Sequence, residues 1–90
     1  MNYKKTYHDH FNLCEEDIAF CEYEYVVNNR KVRAVNIHHI EHGKGKKNND
    51  IVNLMALSYD NHTKAHQEIL KRDYLKKIHL KFLKISSNLY

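Results

Sequence analysis

Residues 34–57 read AVNIHHIEHGKGKKNNDIVNLMAL, two apolar runs around a histidine-rich and then glycine- and lysine-rich centre. The centre, residues 43–50, holds both glycines of the chain, three lysines, two Asn and an Asp, which is the composition of a loop. The flanking runs KVRAVNI (31–37) and IVNLMAL (51–57) are rich in β-branched and apolar residues and read as strands. The first strand leads directly into His38 and His39, with His42 shortly after. Adjacent side chains on a strand point to opposite faces, so His38 and His39 do not share one ion. One ring can coordinate while the other acts as a base.

Working outward, YEYVV (23–27) precedes a turn-like NNR and reads as the partner of KVRAVNI in a hairpin. Residues 9–22 carry Phe11, Leu13, Cys14, Ile18 and Cys21 at roughly helical intervals and predict a short helix, with the acidic cluster Glu15, Glu16 and Asp17 suited to beginning a turn. Downstream, Ser58 is a fair N-cap, and everything from there to about Leu83 is compatible with helix. Leu75, Ile78, Phe82, Ile85 and Leu89 follow at 3, 4, 3, 4 spacing, a narrow apolar seam. That seam is expected to pack on the chain's own N-terminal segment, with a homodimer contact as the alternative. The lysines around it, from Lys71 to Lys84, either track a phosphate backbone or keep the helix soluble. No proline, repeat or Gly/Ser linker divides the chain, so residues 1–90 are expected to form one domain, with a core at about 30–67 and a helical extension at about 68–88. The fold class expected is α+β.

His62 and His66, in NHTKAH, stand at i and i+4 on the expected helix and so share one of its faces. With His38 they supply three neutral imidazoles, a set that leaves open positions for water and a phosphate oxygen. A neutral imidazole, whose reference pKa is about 6.5, can take a proton from water near neutral pH, so His39 has the chemistry of a general base. Asn53 on the return strand can hydrogen-bond the backbone and orient the loop or the base. Lys44, Lys46, Lys47 and Lys64 are the candidate phosphate contacts. Glu41 and His42 read as solvated loop positions, and His8, His10 and His79 fit no ligand spacing.

Composition bounds the partner. The net charge of +4 is unevenly spread: residues 1–24 hold two Lys against six acids, and the remainder thirteen Lys or Arg against five. A basic body of this kind favours a polyanion, because cations placed on phosphates release counterions. A merely solvated surface is the competing reading. Cys14 and Cys21, spaced C-x6-C, match neither a disulfide framework nor a C-x2-C zinc knuckle and are read as thiols. The first residues lack the apolar run of a secretory signal, and no window approaches the roughly 18 apolar residues that span a membrane, so a cytoplasmic chain without a membrane partner is expected.

The order His38-His39, Asn53, His62-x3-His66 resembles the HNH motif of the ββα-metal, or His-Me finger, endonucleases. AVNIHHIEHGKGKKNNDIVNLMAL is more closely similar to small phage and bacterial HNH proteins reading approximately AVDIHHIE…G…GG…K…D…IENLMALC, and the likeness covers about residues 11–67. The resemblance implies a ββα-metal core with an N-terminal helical or hairpin segment and a long C-terminal helix. It implies a hydrolase that cuts DNA phosphodiester bonds with one divalent ion, leaving 5′-phosphate and 3′-hydroxyl ends. By position, His38, His62 and His66 would hold the metal, His39 would activate water and Asn53 would organise the site. An all-imidazole site favours Zn²⁺, Ni²⁺ or Mn²⁺ over Mg²⁺. Many of these relatives also carry a structural zinc on two C-x2-C pairs. Those positions are Cys21 and Glu24, and Ser58 and Asn61, so three of four ligand types are missing and that zinc is not expected. Asn36 stands where the relatives often have Asp. Two readings compete with the nuclease: a non-catalytic nucleic-acid-binding module, and a small interaction domain that the metal merely stabilises. DNA is the expected partner, held mainly through its backbone with weak sequence specificity.

Overall fold

The centre of the fold is an antiparallel pair, β1 (Asn36–His39) on β2 (Leu54–Leu57), in the computed structural model, which describes residues 3–41 and 49–90. The register pairs Asn36 with Leu57, Ile37 with Ala56, His38 with Met55 and His39 with Leu54. Every β2 side chain is buried, which explains why LMAL is continuously apolar and does not alternate: both faces of this strand are covered. The period of two divides the sheet cleanly. Ile37, Leu54 and Ala56 join Tyr7, Phe11 and Phe82 in one core cluster. Met55 and Leu57 join Cys21, Ile40, Leu70, Leu75 and Ile78 in the other. Asn36 and His38 therefore look out on the second face and His39 on the first.

Among the described residues, four helices clothe this pair: α1 (Tyr3–His10), α2 (Glu22–Asn28), α3 (Tyr59–His66) and α4 (Arg72–Ile85). The chain is thus a small mixture of helices and a two-stranded antiparallel sheet, compatible with α+β. Among the described residues no helix is long and apolar enough to cross a membrane.

The N-terminal third corrects the sequence reading. YEYVV is not a strand but most of α2, and the NNR turn is its C-cap, where Asn29 adopts a left-handed conformation (φ 53°) and donates its N–H to the Glu24 carbonyl. Strand propensity is a weak preference, and here it yields to burial of Glu22 with Tyr25 and Val26 half-buried on the same side, while Val27 is exposed. The expected helix at 9–22 is also displaced. Helix α1 ends at His10, Asn12 turns left-handed (φ 60°), and the acidic cluster forms a turn in which the Asp17 carboxylate accepts from the Cys14 N–H at 2.7 Å. The partner of the 32–34 segment is the stretch before α2: Cys21 N–H donates to Val32 and Ala34 N–H to Ala19.

Two further boundaries move. Ile51–Asn53 is a 3₁₀ turn, leaving Leu54–Leu57 as the strand. The long C-terminal helix is two helices: Glu68 takes a left-handed conformation (φ 58°), and Leu70, in the break between them, is buried in the second core cluster. The apolar seam itself is spent inside the chain: Leu75, Ile78 and Phe82 are buried, and α4 packs on α2.

A polar knot lies within this core. Tyr7, Glu22 and His79, from α1, α2 and α4, are all fully buried. The Glu22 carboxylate accepts from the Tyr7 hydroxyl at 2.5 Å and from the Ala56 N–H at 3.2 Å, and His79 Nδ1 lies 2.5 Å from its other oxygen. His79 Nε2 donates to the Ile51 carbonyl at 2.6 Å, so α4 grips the 3₁₀ turn that leads to Asn53. Among the described residues no buried side-chain polar atom lacks a hydrogen-bond partner.

Candidate metal centre

Helix α3 begins where Ser58 caps it. Its hydroxyl accepts from the Asn61 N–H at 3.3 Å, and its carbonyl accepts from the His62 N–H. That start places His62 and His66 on the face turned toward β1, and His38 meets them from the strand. The ring centroids of His38 lie 5.1 Å from His62 and 5.4 Å from His66, and those of His62 and His66 are 4.5 Å apart. One nitrogen from each ring falls within 4.8 Å of the other two. The His62 and His66 Nε2 atoms are 3.1 Å apart, close to the edge of about 3.3 Å that two ligands span around a tetrahedral zinc with bonds of 2.0–2.1 Å. His38 is buried, His62 half-buried and His66 exposed, so the group is open on one side. Burial, and then the neighbouring His66, push the His62 pKa down and favour the neutral ring that a metal requires. Donor chemistry and spacing both fit a borderline divalent ion.

His39 occupies the other face of β1. Its Nε2 lies 2.9 Å from Asn49 Oδ1, an acceptor that keeps the ring proton on Nε2 and the basic electron pair on Nδ1. The Tyr3 ring stands edge-on to it at 4.7 Å between centroids. Asn53 is buried and clamps the backbone across the sheet's end: its Oδ1 accepts from the Glu41 N–H at 2.8 Å, its Nδ2 donates to the Glu41 carbonyl at 3.0 Å, and its own carbonyl accepts from the Ile40 N–H.

A cleft of about 490 Å³ is lined by two of the three rings, His38 and His66, together with Lys71, Arg72, Glu68 and Asp73. Lys64 is exposed on α3. Lys44, Lys46 and Lys47, and with them His42, lie outside the described residues.

Two features of the site escaped the sequence reading. Asn49 sits in a run of loop residues where nothing marks one Asn from the next. Asn36, noted only as a lost charge, has its Nδ2 3.1 Å from His62 Nδ1 and so touches a candidate ligand directly.

The four positions compared above with the C-x2-C pairs converge behind α3. The Asn61 amide donates to Cys21 Sγ at 3.3 Å and to the Glu24 carboxylate at 2.8 Å, while its backbone meets Ser58. Hydrogen bonds from Asn61 and Asn28 hold the Glu24 pKa below the usual range. One amide thereby ties α2 to the start of α3, and so to the segment that presents His62.

No family model matches the chain, and neither curated proteins nor solved structures provide a match.

Proposed function

We propose that the chain is a metal-dependent DNA endonuclease of the HNH type, with β1, β2 and α3 as its ββα-metal core. The observation that carries this reading is the division of labour across one strand. Three imidazoles gather on one face of β1, and a fourth, held by Asn49, stands on the other. A purely structural ion needs the first group and has no use for the second.

His38, His62 and His66 would hold the ion, which when bound supplies Lewis-acid stabilisation of the phosphate oxygens. His39 takes the proton of the attacking water at Nδ1 while Asn49 fixes its Nε2–H. Asn53 holds the Glu41 backbone and with it the exit of β1, so that the base does not drift. Lys64, and by composition Lys44, Lys46 and Lys47, balance the charge of flanking phosphates. Cleavage would leave 5′-phosphate and 3′-hydroxyl ends.

The test is nicking of supercoiled plasmid with Zn²⁺, Ni²⁺, Mn²⁺ or Mg²⁺ by the parent, His39→Ala and His66→Ala. Loss of a general base is expected to cost about 10²–10⁴-fold in rate while leaving metal bound. His66→Ala should lose the metal as well. Nicking by His39→Ala at the parental rate would remove the proposed base. A parent that retains DNA salt-sensitively but never cuts would be a binding module.

A further inference from the structure

We propose that Asn36 governs which nitrogen of His62 is offered to an ion, and that its side-chain amide turns over when a metal binds. The inference rests on the metal-centre reading above and concerns a residue outside the ligand set. Asn36 and His38 are two apart on β1, so both side chains leave the same face of the sheet.

The polar contacts form a string. Asn36 Nδ2 is 3.1 Å from His62 Nδ1, and His62 Nε2 is 3.1 Å from His66 Nε2. An amide nitrogen only donates, so His62 Nδ1 accepts and the single proton of the neutral ring sits on Nε2, where it is donated to His66. In this arrangement the His62 Nε2 lone pair is blocked by its own proton. Ligation through Nε2 requires the other tautomer, with the proton on Nδ1. That N–H would then face the Asn36 NH₂, donor against donor. Rotating the amide by half a turn about Cβ–Cγ brings Oδ1 to the same place, since the two ends of the group are equal in size. The result is an oxygen–imidazole–metal string of the kind that fixes ring orientation at metal sites. No backbone has to move.

The chemistry separates three side chains at this position. Asn serves both tautomers at the cost of a rotation. Asp only accepts and holds His62 in the ligating tautomer beforehand. Leu has nearly the same shape and supports neither.

The experiment is a competition titration of Zn²⁺ between a chromophoric chelator and the parent, Asn36→Leu or Asn36→Asp, alongside long-range ¹⁵N–¹H spectra of the His62 ring. The parent should move its His62 proton from Nε2 to Nδ1 on adding Zn²⁺, with a shift of the Asn36 amide protons. Asn36→Leu should bind Zn²⁺ about 10–100-fold more weakly, the usual effect of removing an outer partner. Asn36→Asp should bind at least as tightly as the parent and carry its proton on Nδ1 before any zinc is added. Parental affinity in Asn36→Leu, or an unchanged His62 tautomer in the parent that does bind zinc, overturns the role of Asn36 alone. Failure of the parent to bind zinc overturns the metal centre itself, and this inference with it.

Discussion

Glu22→Gln alters one group in the core and predicts a change in how stability depends on pH. His79 meets acceptors at both nitrogens, the Glu22 carboxylate and the Ile51 carbonyl. The carbonyl cannot donate, so Nε2 carries a proton, and the pair holds a second one between Nδ1 and the carboxylate. Burial raises the Glu22 pKa more than its hydrogen bonds lower it. For His79, burial opposes the charged ring, but the hydrogen bond and charge of Glu22, with the Ile51 carbonyl, outweigh it and raise its pKa. Both shifts have one sign. A group whose folded pKa is raised contributes stability that is complete below its unfolded pKa and is lost as pH rises through the folded value. For His79 that window opens at about pH 6.5, and one proton makes the slope at most about 1.4 kcal/mol per pH unit. Against a total of about 5–13 kcal/mol for a chain of this length, such a slope is readily measured. In the variant, the amide that replaces the carboxylate can donate to a neutral His79 Nδ1 while its oxygen keeps Tyr7 and Ala56, so the fold survives without the extra proton. His62, whose pKa is lowered, opposes the trend, but it does so equally in both proteins and cancels in the difference. Urea unfolding of both, from pH 6 to 8.5 with a chelator present, should show the parent ahead at pH 6 and the gap closing as pH rises. A gap that stays constant would refute the shared proton.

Asn61→Ala should lower stability by about 1–3 kcal/mol, since it leaves Cys21 without its donor and the Glu24 carboxylate with Asn28 in place of two amides; the urea midpoint should fall with the slope unchanged. Phe82→Ala should cost about 3–5 kcal/mol by calorimetry, because the ring is fully buried against Phe11, Tyr25 and Tyr90. Asn49→Ala should slow plasmid nicking while leaving zinc affinity at the parental value; a matching loss of affinity would place Asn49 on the metal rather than on His39.

The residues of the candidate site were legible because they are close in sequence and ride on regular periods. A strand's period of two separates His38 from His39, and a helix's i, i+4 pairing joins His62 to His66. The β1–loop–β2–α3 order leaves few ways to assemble them. The N-terminal third was not legible for a related reason. YEYVV satisfies the local signals of a strand, while the helix it belongs to packs on α4 through partners distant in sequence, Glu22 meeting His79 57 positions away. His79 did carry one signal: it lies four residues after Leu75 and three before Phe82, on the buried side of the seam. The break between α3 and α4 had none, since Glu68 is neither Gly nor Pro yet takes the left-handed turn.

The same buried pair bears on the site, although it touches no candidate ligand. The turn Ile51–Asn53 is gripped at its start by His79 on the Ile51 carbonyl, and at its end by the two hydrogen bonds between the Asn53 amide and Glu41. Between those grips, Asn53 N–H closes on the Asp50 carbonyl at 2.8 Å. A three-residue turn with both ends fixed has little freedom left, so a shift of α4 at His79 is expected to reach Glu41 and the exit of β1. His79→Leu removes the first grip and leaves Glu22 buried without its cation, at a cost of about 3–5 kcal/mol. Its effect should reach the amide hydrogen exchange of Ile40 and Glu41 before the whole domain unfolds, because those two N–H groups are the ones that Asn53 holds.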